Sequence, residues 1–331
     1  MINVPLSVLD LSPVAAGTTV GQALRQTTEL ARRAEELGYR RFWVAEHHVT
    51  AASACVSPPV LAAHLAAATS RIRVGSGGVL APNHAPLAVA EQFATLAALH
   101  PGRIDLGIGR GPGTLDPRVI QALRRGAEED YPADIREILG YLGAESALRV
   151  LPGPATPPEP WLLVSSVAGA ELAGELGLPI AFAHNIRPMN TRESLERYRD
   201  KFRPSRWSPE PHVILAVETV CADTDEQAEH AAAPINVLKS RLLAGGGGEV
   251  ELLAPEEAAA YEIPAELAEP LAGFLASQAY GGPETVARRL TALAEETGAD
   301  ELMLSTPVFD GEVRARSYEL VSKGLVSGAA G

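Results

Sequence analysis

"RIRVGSGGVLAPNHAPLAVAEQFATLAALHPGRIDLGIG", residues Arg71 to Gly109, reads as strand, helix, strand. The run from Arg71 is apolar and β-branched, a helix is expected from about Pro86 to His100, and "RIDLGIG" from Arg103 is strand-like again. Two strands joined through a helix of that length run parallel, because an antiparallel pair needs only a tight turn. Both strands are apolar along most of their length, as expected where a sheet is covered on both faces.

The same unit recurs in both directions along the chain. Upstream lie the strand "VPLSVLDLS" from Val4, a helix from Thr19 ending near Gly38, the strand "RRFWVAEHH" from Arg40, and an Ala-rich helix from Pro58 to about Thr69. Downstream come "WLLVSS" from Trp161 with a helix from Ala168, and "PIAFAH" from Pro179 with a helix from about Asn190 to Phe202. "HVILAVETVCA" from His212 follows, with a helix from about Thr224 to Leu243, and then "ADELMLST" from Ala299 with a helix from Val313. Eight strand–helix units without a break predict an α/β chain closed as a (β/α)8 TIM barrel, with a doubly wound open sheet as the alternative. The expectation is a single domain over residues 1–331 with insertions near 111–160 and 244–282. The Pro-rich "LPGPATPPEP" from Leu151 to Pro160 belongs to the first insertion and is expected to stay out of any central strand. The four consecutive glycines from Gly245 suggest a mobile lid or hinge.

The chain has 331 residues, 46% hydrophobic and 21% charged, which suits a globular protein with a large core. A net charge of −13 argues against nucleic acid, whose phosphates need a basic surface. Two cysteines make no disulfide framework, and no apolar run approaches the roughly 20 residues of a membrane span. A cytoplasmic location is expected, without nucleic-acid or membrane partners.

In such a barrel, chemistry gathers just past the C-terminal ends of the strands. Asp10, Glu46, His47, Gly77, Gly78, Arg110, Ser165, Ser166 and His184 all fall there. Neighbouring strand residues point to opposite faces, so His47 and His48 serve one metal only if the chain turns between them. No Cys or His cluster with ligand spacing accompanies them, and no metal is expected. A mouth-facing His47 is suited to proton transfer because imidazole titrates near neutrality, with Glu46 orienting it or closing the rim. One imidazole bonded in the wall and one in solvent is the plainer alternative.

"LGIGRGPG" from Leu106 fails the dinucleotide fingerprint, since Pro112 stands where the last glycine belongs. What remains is a glycine-softened strand end that lets a ligand approach, with Arg110 as a cation on its rim. Ser165 and Ser166 precede a helix, where hydroxyls and free N–H groups bind a phosphate or, for Ser166, simply cap the helix. Gly77 and Gly78 mark either a turn or a place where backbone presses flat against a bound ring. His64 and His100 are read as packing or surface residues, Asn83 and His84 as caps of the following helix, and the acidic "EED" from Glu128 as a solvated face.

Together "WVAEHH", the stretch from Arg71 to Gly113, "LLVSSVAGAELAGELGLPIAFAH" and "GADELMLST" resemble the luciferase-like flavin monooxygenases, in order and spacing, from Pro5 to about Leu325. Within that family the chain is similar to the type that includes the monooxygenase of mensacarcin (aromatic polyketide) biosynthesis. The resemblance implies a barrel that binds reduced FMN delivered by a separate flavin reductase. It also implies O2 as co-substrate, a C4a-peroxy adduct of the flavin, and a small apolar or aromatic substrate such as a polyketide. It places the family's active-site histidine on His47 and its flavin-supporting bulge, often with a non-proline cis peptide, on Gly77-Gly78. The phosphate-binding arginine falls on Arg110 and the serine pair on Ser165 and Ser166. Bacterial luciferase has a reactive cysteine where this chain has Gly109, and a glutamate where it has Ser165; both departures argue against light emission. Two alternatives share the barrel: a dehydrogenase using the deazaflavin F420, and a protein that holds flavin without turnover. A homodimer is expected through the Ala-rich helices at 61–68 and 87–99, which relatives often use.

Overall fold

The computed structural model describes residues 2–323 apart from 124–129, 144–145, 147, 149, 151, 154 and 245–251. Its strands in chain order are β1 (Leu6–Asp10), β2 (Arg41–Val44), β3 (Arg73–Ser76), β4 (Val79–Leu80), β5 (Ile104–Gly109), β6 (Glu159–Val164), β7 (Ile180–Phe182), β8 (Val213–Cys221), β9 (Ala279–Gly281) and β10 (Glu301–Ser305). Eight of them close a parallel barrel in the order β1, β2, β3, β5, β6, β7, β8, β10, with Leu6 opposite Leu302 and Glu301 opposite Ile214 sealing the ring. These eight are the strands that the apolar runs predict. β4 continues β3 past Gly78 and pairs with β5. β9 extends the wall above β7 by pairing with Thr219–Cys221.

The helices are α1 (Val20–Glu36), α2 (Pro58–Ala68), α3 (Pro86–Leu99), α4 (Pro117–Leu123), α5 (Tyr131–Leu142), α6 (Val167–Leu176), α7 (Thr191–Lys201), α8 (Asp225–Leu243), α9 (Pro255–Ala259), α10 (Ala265–Ala276), α11 (Pro283–Thr297) and α12 (Gly311–Lys323). Local chemistry fixes several ends. Thr19 and Gln22 form a reciprocal capping box at the start of α1. Gly177, with φ of 63°, supplies the left-handed residue that closes α6.

Alternation along β2 shows how the layers divide. Phe42 and Val44 point outward into the large core between sheet and helices. Trp43 points inward to a second core with Leu9, Trp161, Ala181, Ile214, Ala216 and Met303. The barrel is therefore packed, not hollow, and only its C-terminal end is free for a ligand. Burial on both faces explains the unbroken apolar strands; β8 is buried at all nine positions.

Two expectations need correction, and a third is only partly within the described residues. Pro160 does lie in a barrel strand, opposite Leu106 of β5. Pairing of β6 with β7 begins only at Leu162, so the missing N–H falls at the strand entrance and leaves no gap in that ladder. Of the acidic stretch 128–130, only Asp130 is among the described residues, and it caps α5 by accepting from Ala133 N at 3.0 Å. Part of the supposed lid is regular, since α9, α10 and β9 occupy most of 252–281, whereas the four glycines lie outside the described residues. No described helix is long and apolar enough to cross a membrane.

Candidate active site

All eight parallel strands deliver their C-terminal ends to one face. β2 ends at Val44, and His47 follows three residues on, outside the strand. The backbone N–H of His47 donates to Cys55 O at 2.7 Å, which fixes the residue. Its Nδ1 is buried without a hydrogen-bond partner, an uncommon state for a polar atom. Burial holds the His47 pKa below the ordinary imidazole value; His48 pushes the same way and Glu46 opposes them.

Glu46 is buried and fully engaged by its neighbours. Its carboxylate is bonded by His48 Nε2 at 2.8 Å and His84 Nε2 at 2.9 Å, accepts Leu80 N at 3.0 Å, and accepts Asn83 Nδ2 at 3.2 Å. Burial alone would raise its pKa, but the bonds from His84 and Leu80 hold it lower than usual. Asn83 and His84 thus do not cap α3, whose N-cap is Ala85 without a side-chain bond. They bind Glu46 instead. Asn83 also reaches Pro112 O at 3.4 Å, and His48 N donates to Gly113 O at 2.7 Å. Glu46 therefore clasps the loops after β2, β4 and β5. No hydrogen bond links it to His47, so it closes the rim and does not orient that imidazole.

Between β3 and β4 the Gly77-Gly78 peptide is cis. A Cβ on Gly77 would stand 2.6 Å from Leu9 Cδ1, and one on Gly78 2.8 Å from Gly107 O. The bulge thus lies flat on the inner core above Leu9 and Trp43. Gly107 serves the same packing: a Cβ there would come within 2.0 Å of Ser76 O. Its glycine admits neighbouring backbone, not a ligand as its sequence suggests.

Arg110 and Ser165 directly follow β5 and β6, which are paired neighbours with Ile108 opposite Leu162. The arginine is exposed, and its guanidinium carbon lies 5.9 Å from the ring centre of Tyr131 in α5. The Tyr131 hydroxyl is buried without a partner, and burial pushes its pKa up. Ser166 caps α6 by accepting Gly169 N at 3.3 Å. The backbone oxygen of Ser165 accepts from Asn190 Nδ2 at 3.0 Å, which leaves its hydroxyl uncommitted to that contact. Arg110 and the Ser165–Ser166 pair thus follow adjacent strands, with the N-terminus of α6 beside the serines.

Two other residues assigned to the mouth are engaged elsewhere. Asp10 faces the helix layer, accepting from Thr27 Oγ1 at 2.6 Å and Arg314 at 3.2 Å. His184 joins Thr191 Oγ1 at 2.7 Å to Ser277 O at 2.9 Å, tying the end of β7 to the end of α10. His64, as expected, packs between helices, 3.0 Å from Thr28 Oγ1. Sequence reading passes over Tyr131, Asn185 and Asn236, each with a buried side-chain oxygen lacking a partner. Only the count of unsatisfied polar atoms finds them.

The family model for luciferase-like monooxygenases matches residues 4–301. A luciferase-like monooxygenase of Escherichia coli (strain K12) is 36% identical over 332 residues, covering 96% of each chain. The crystal structure of apo-MsnO8 superposes with a TM-score of 0.90 at 40% identity, covering 98% of this chain and 99% of that one. The oxygenating constituent of 3,6-diketocamphane monooxygenase of Pseudomonas putida, solved in complex with FMN, shares the fold at a TM-score of 0.71 and 20% identity, with 98% and 99% covered. With a barrel closed as that family's is, and a match along nearly its whole length, this chain belongs to the luciferase-like monooxygenase family.

Proposed function

We propose that the protein is a monooxygenase that uses reduced FMN, supplied by a separate flavin reductase, and O2 to oxidise a small apolar or aromatic molecule. The reading is supported by four features that follow the C-terminal ends of barrel strands: Arg110 after β5, the Ser165–Ser166 pair after its neighbour β6, the cis Gly77-Gly78 peptide after β3, and the unpartnered His47 Nδ1 after β2. The residues fit the cofactor. Arg110, the two hydroxyls and the start of α6 suit a phosphate dianion. The glycine bulge, backed by Leu9 and Trp43, offers a face for a planar ring. When bound, reduced FMN supplies the electrons that activate O2 for transfer of one oxygen atom. The chain holds the ring, keeps water from it with the apolar inner core, and handles a proton at His47. The two free cysteines are buried, in keeping with a reducing cytoplasm.

The test is stopped-flow absorbance on mixing the reduced FMN complex with oxygen. A slow return of oxidised flavin, quickened by candidate substrates, supports the reading; hydride transfer to F420 without oxygen uptake overturns it.

Arg110→Ala is expected to weaken FMN binding by about 10- to 100-fold, the loss of a charge-assisted hydrogen bond, while riboflavin, lacking the phosphate, binds as before. Titration of both flavins by fluorescence checks this. Equal weakening of both would show that Arg110 acts on the ring or the fold.

A homodimer is the proposed assembly. α2 carries no charged side chain, and its Val60 is 70% exposed. Val60→Glu is therefore expected to shift the protein from dimer to monomer in light scattering at micromolar concentration; a wild-type monomer would overturn the assignment.

A further inference from the structure

The geometry points to a second polar subsite on the β8 side of the mouth, formed by Asn236 and Lys239, that takes the hydroxyl group of a phenol. This deepens the oxygenase reading, and rests on it, by assigning a substrate class to the same mouth.

The inward series of β8 runs Ile214, Ala216, Glu218, Val220. The first two belong to the inner core, and Val220 packs beneath Ala228, Ala232 and Ile235 of α8. α8 therefore roofs this side of the opening. From it Lys239 reaches down to Glu218, Nζ to Oε1 at 2.6 Å, and lies 3.9 Å from the ring centre of Phe274 in α10. Tyr280 of β9 donates to the same carboxylate oxygen. Glu218 is 5% exposed, so this is a buried ion pair. Asn236 precedes Lys239 by three residues, which puts both on one face of α8. Its Oδ1 is buried with no partner.

The chemistry narrows the ligand by elimination. Lys239 and Glu218 already match each other, so an anionic or a cationic head would bring a buried charge with no counter-charge left to pair it. A pure hydrocarbon leaves Asn236 Oδ1 unsatisfied. A hydroxyl answers both groups at one atom, donating to Asn236 Oδ1 and accepting from Lys239 Nζ. An acidic hydroxyl is the stronger donor to Asn236 Oδ1, which favours a phenol over an alcohol.

Three probes separate these contacts. 2-Naphthol donates and accepts, 2-methoxynaphthalene only accepts, and naphthalene does neither. They are titrated into the full chain with and without FMN. The wild type is expected to bind 2-naphthol roughly tenfold more tightly than 2-methoxynaphthalene, and the ether more tightly than naphthalene. Asn236→Leu erases the first preference. Lys239→Met combined with Glu218→Gln, which leaves no unpaired carboxylate, erases the second. Equal binding of 2-naphthol and its methyl ether by the wild type, no detectable naphthol binding, or a naphthol preference that survives Asn236→Leu overturns the subsite. FMN affinity is read in the same samples by flavin fluorescence and is expected to be unchanged in both variants. Failure of the wild type to bind FMN would overturn the oxygenase reading, while the naphthol series run without flavin still judges the subsite.

Discussion

His47→Ala binds FMN as tightly as the wild type and oxidises substrate about 10²- to 10⁴-fold more slowly, the range over which a positioned acid–base group acts. The split between binding and turnover follows from position. The flavin is expected to be gripped by Arg110 and the serine pair on β5 and β6, whereas His47 projects from the end of β2 with Nδ1 free. Its backbone bond to Cys55 survives the substitution, so the loop keeps its path. Flavin titration and steady-state oxygen uptake measured on one preparation read the two effects apart. Oxidation within about tenfold of wild type would remove His47 from the chemistry.

The pH profile gives the same assignment an independent check. Burial, with His48 adding to it and Glu46 opposing, holds the His47 pKa below its ordinary value of 6.5. The imidazole is therefore neutral at pH 7 and ready to accept a proton. Wild-type activity should stay level as pH falls past 6.5 and drop only on crossing the lowered folded-state pKa, a limb that His47→Ala lacks. Stability follows the same sign. The unfolded chain takes up the proton first, so this group's contribution is full above the unfolded pKa and is lost as pH falls through the folded one.

Much of the barrel is legible because its strands are buried on both faces, which turns each into an apolar run that helical periodicity cannot mimic. What escapes is short or borrowed. β9 has three residues and exists only because Thr219–Cys221 of β8 outlasts its neighbours. α11 goes unread although it has 15 residues and is amphipathic. The sequence carries no sign that the Glu46 carboxylate would be met by His84, 38 positions away. Side-chain partners of that kind have no local signature. Asp10 shows the converse error: a strand-end carboxylate looks like a mouth residue until Arg314, on the last helix, claims it.

Asp105→Ala is expected to lower the stability of the fold by about 3–5 kcal/mol, the loss typical of breaking a buried ion pair from one side. Asp105 is fully buried at the barrel's N-terminal end, where its Oδ2 accepts Arg41 at 3.0 Å and Trp43 Nε1 at 2.8 Å, and its Oδ1 accepts Arg73 Nε at 2.9 Å. Arg41 is itself only 1% exposed and lies 4.7 Å from the ring centre of Trp161. Burial works against its charge, but Asp105 and Glu301 more than offset that and raise its pKa above the usual guanidinium value. Removing Asp105 takes away the one fully buried carboxylate that Arg41 and Arg73 share, leaving Arg41 with Glu301 and Arg73 with only the half-exposed Glu159. Asp105→Asn keeps an acceptor for Trp43 and should cost less. Urea denaturation of the three proteins checks the order, and an Asp105→Ala midpoint equal to wild type would sink it. The effect should also reach the mouth. Trp43 is pinned by Asp105 and lies directly under Gly77, whose added Cβ would stand 3.3 Å from Trp43 Cβ. A network at the closed end of the barrel thus sets the floor on which the flavin-facing bulge rests, and Asp105→Ala should weaken FMN binding without touching any residue of the mouth.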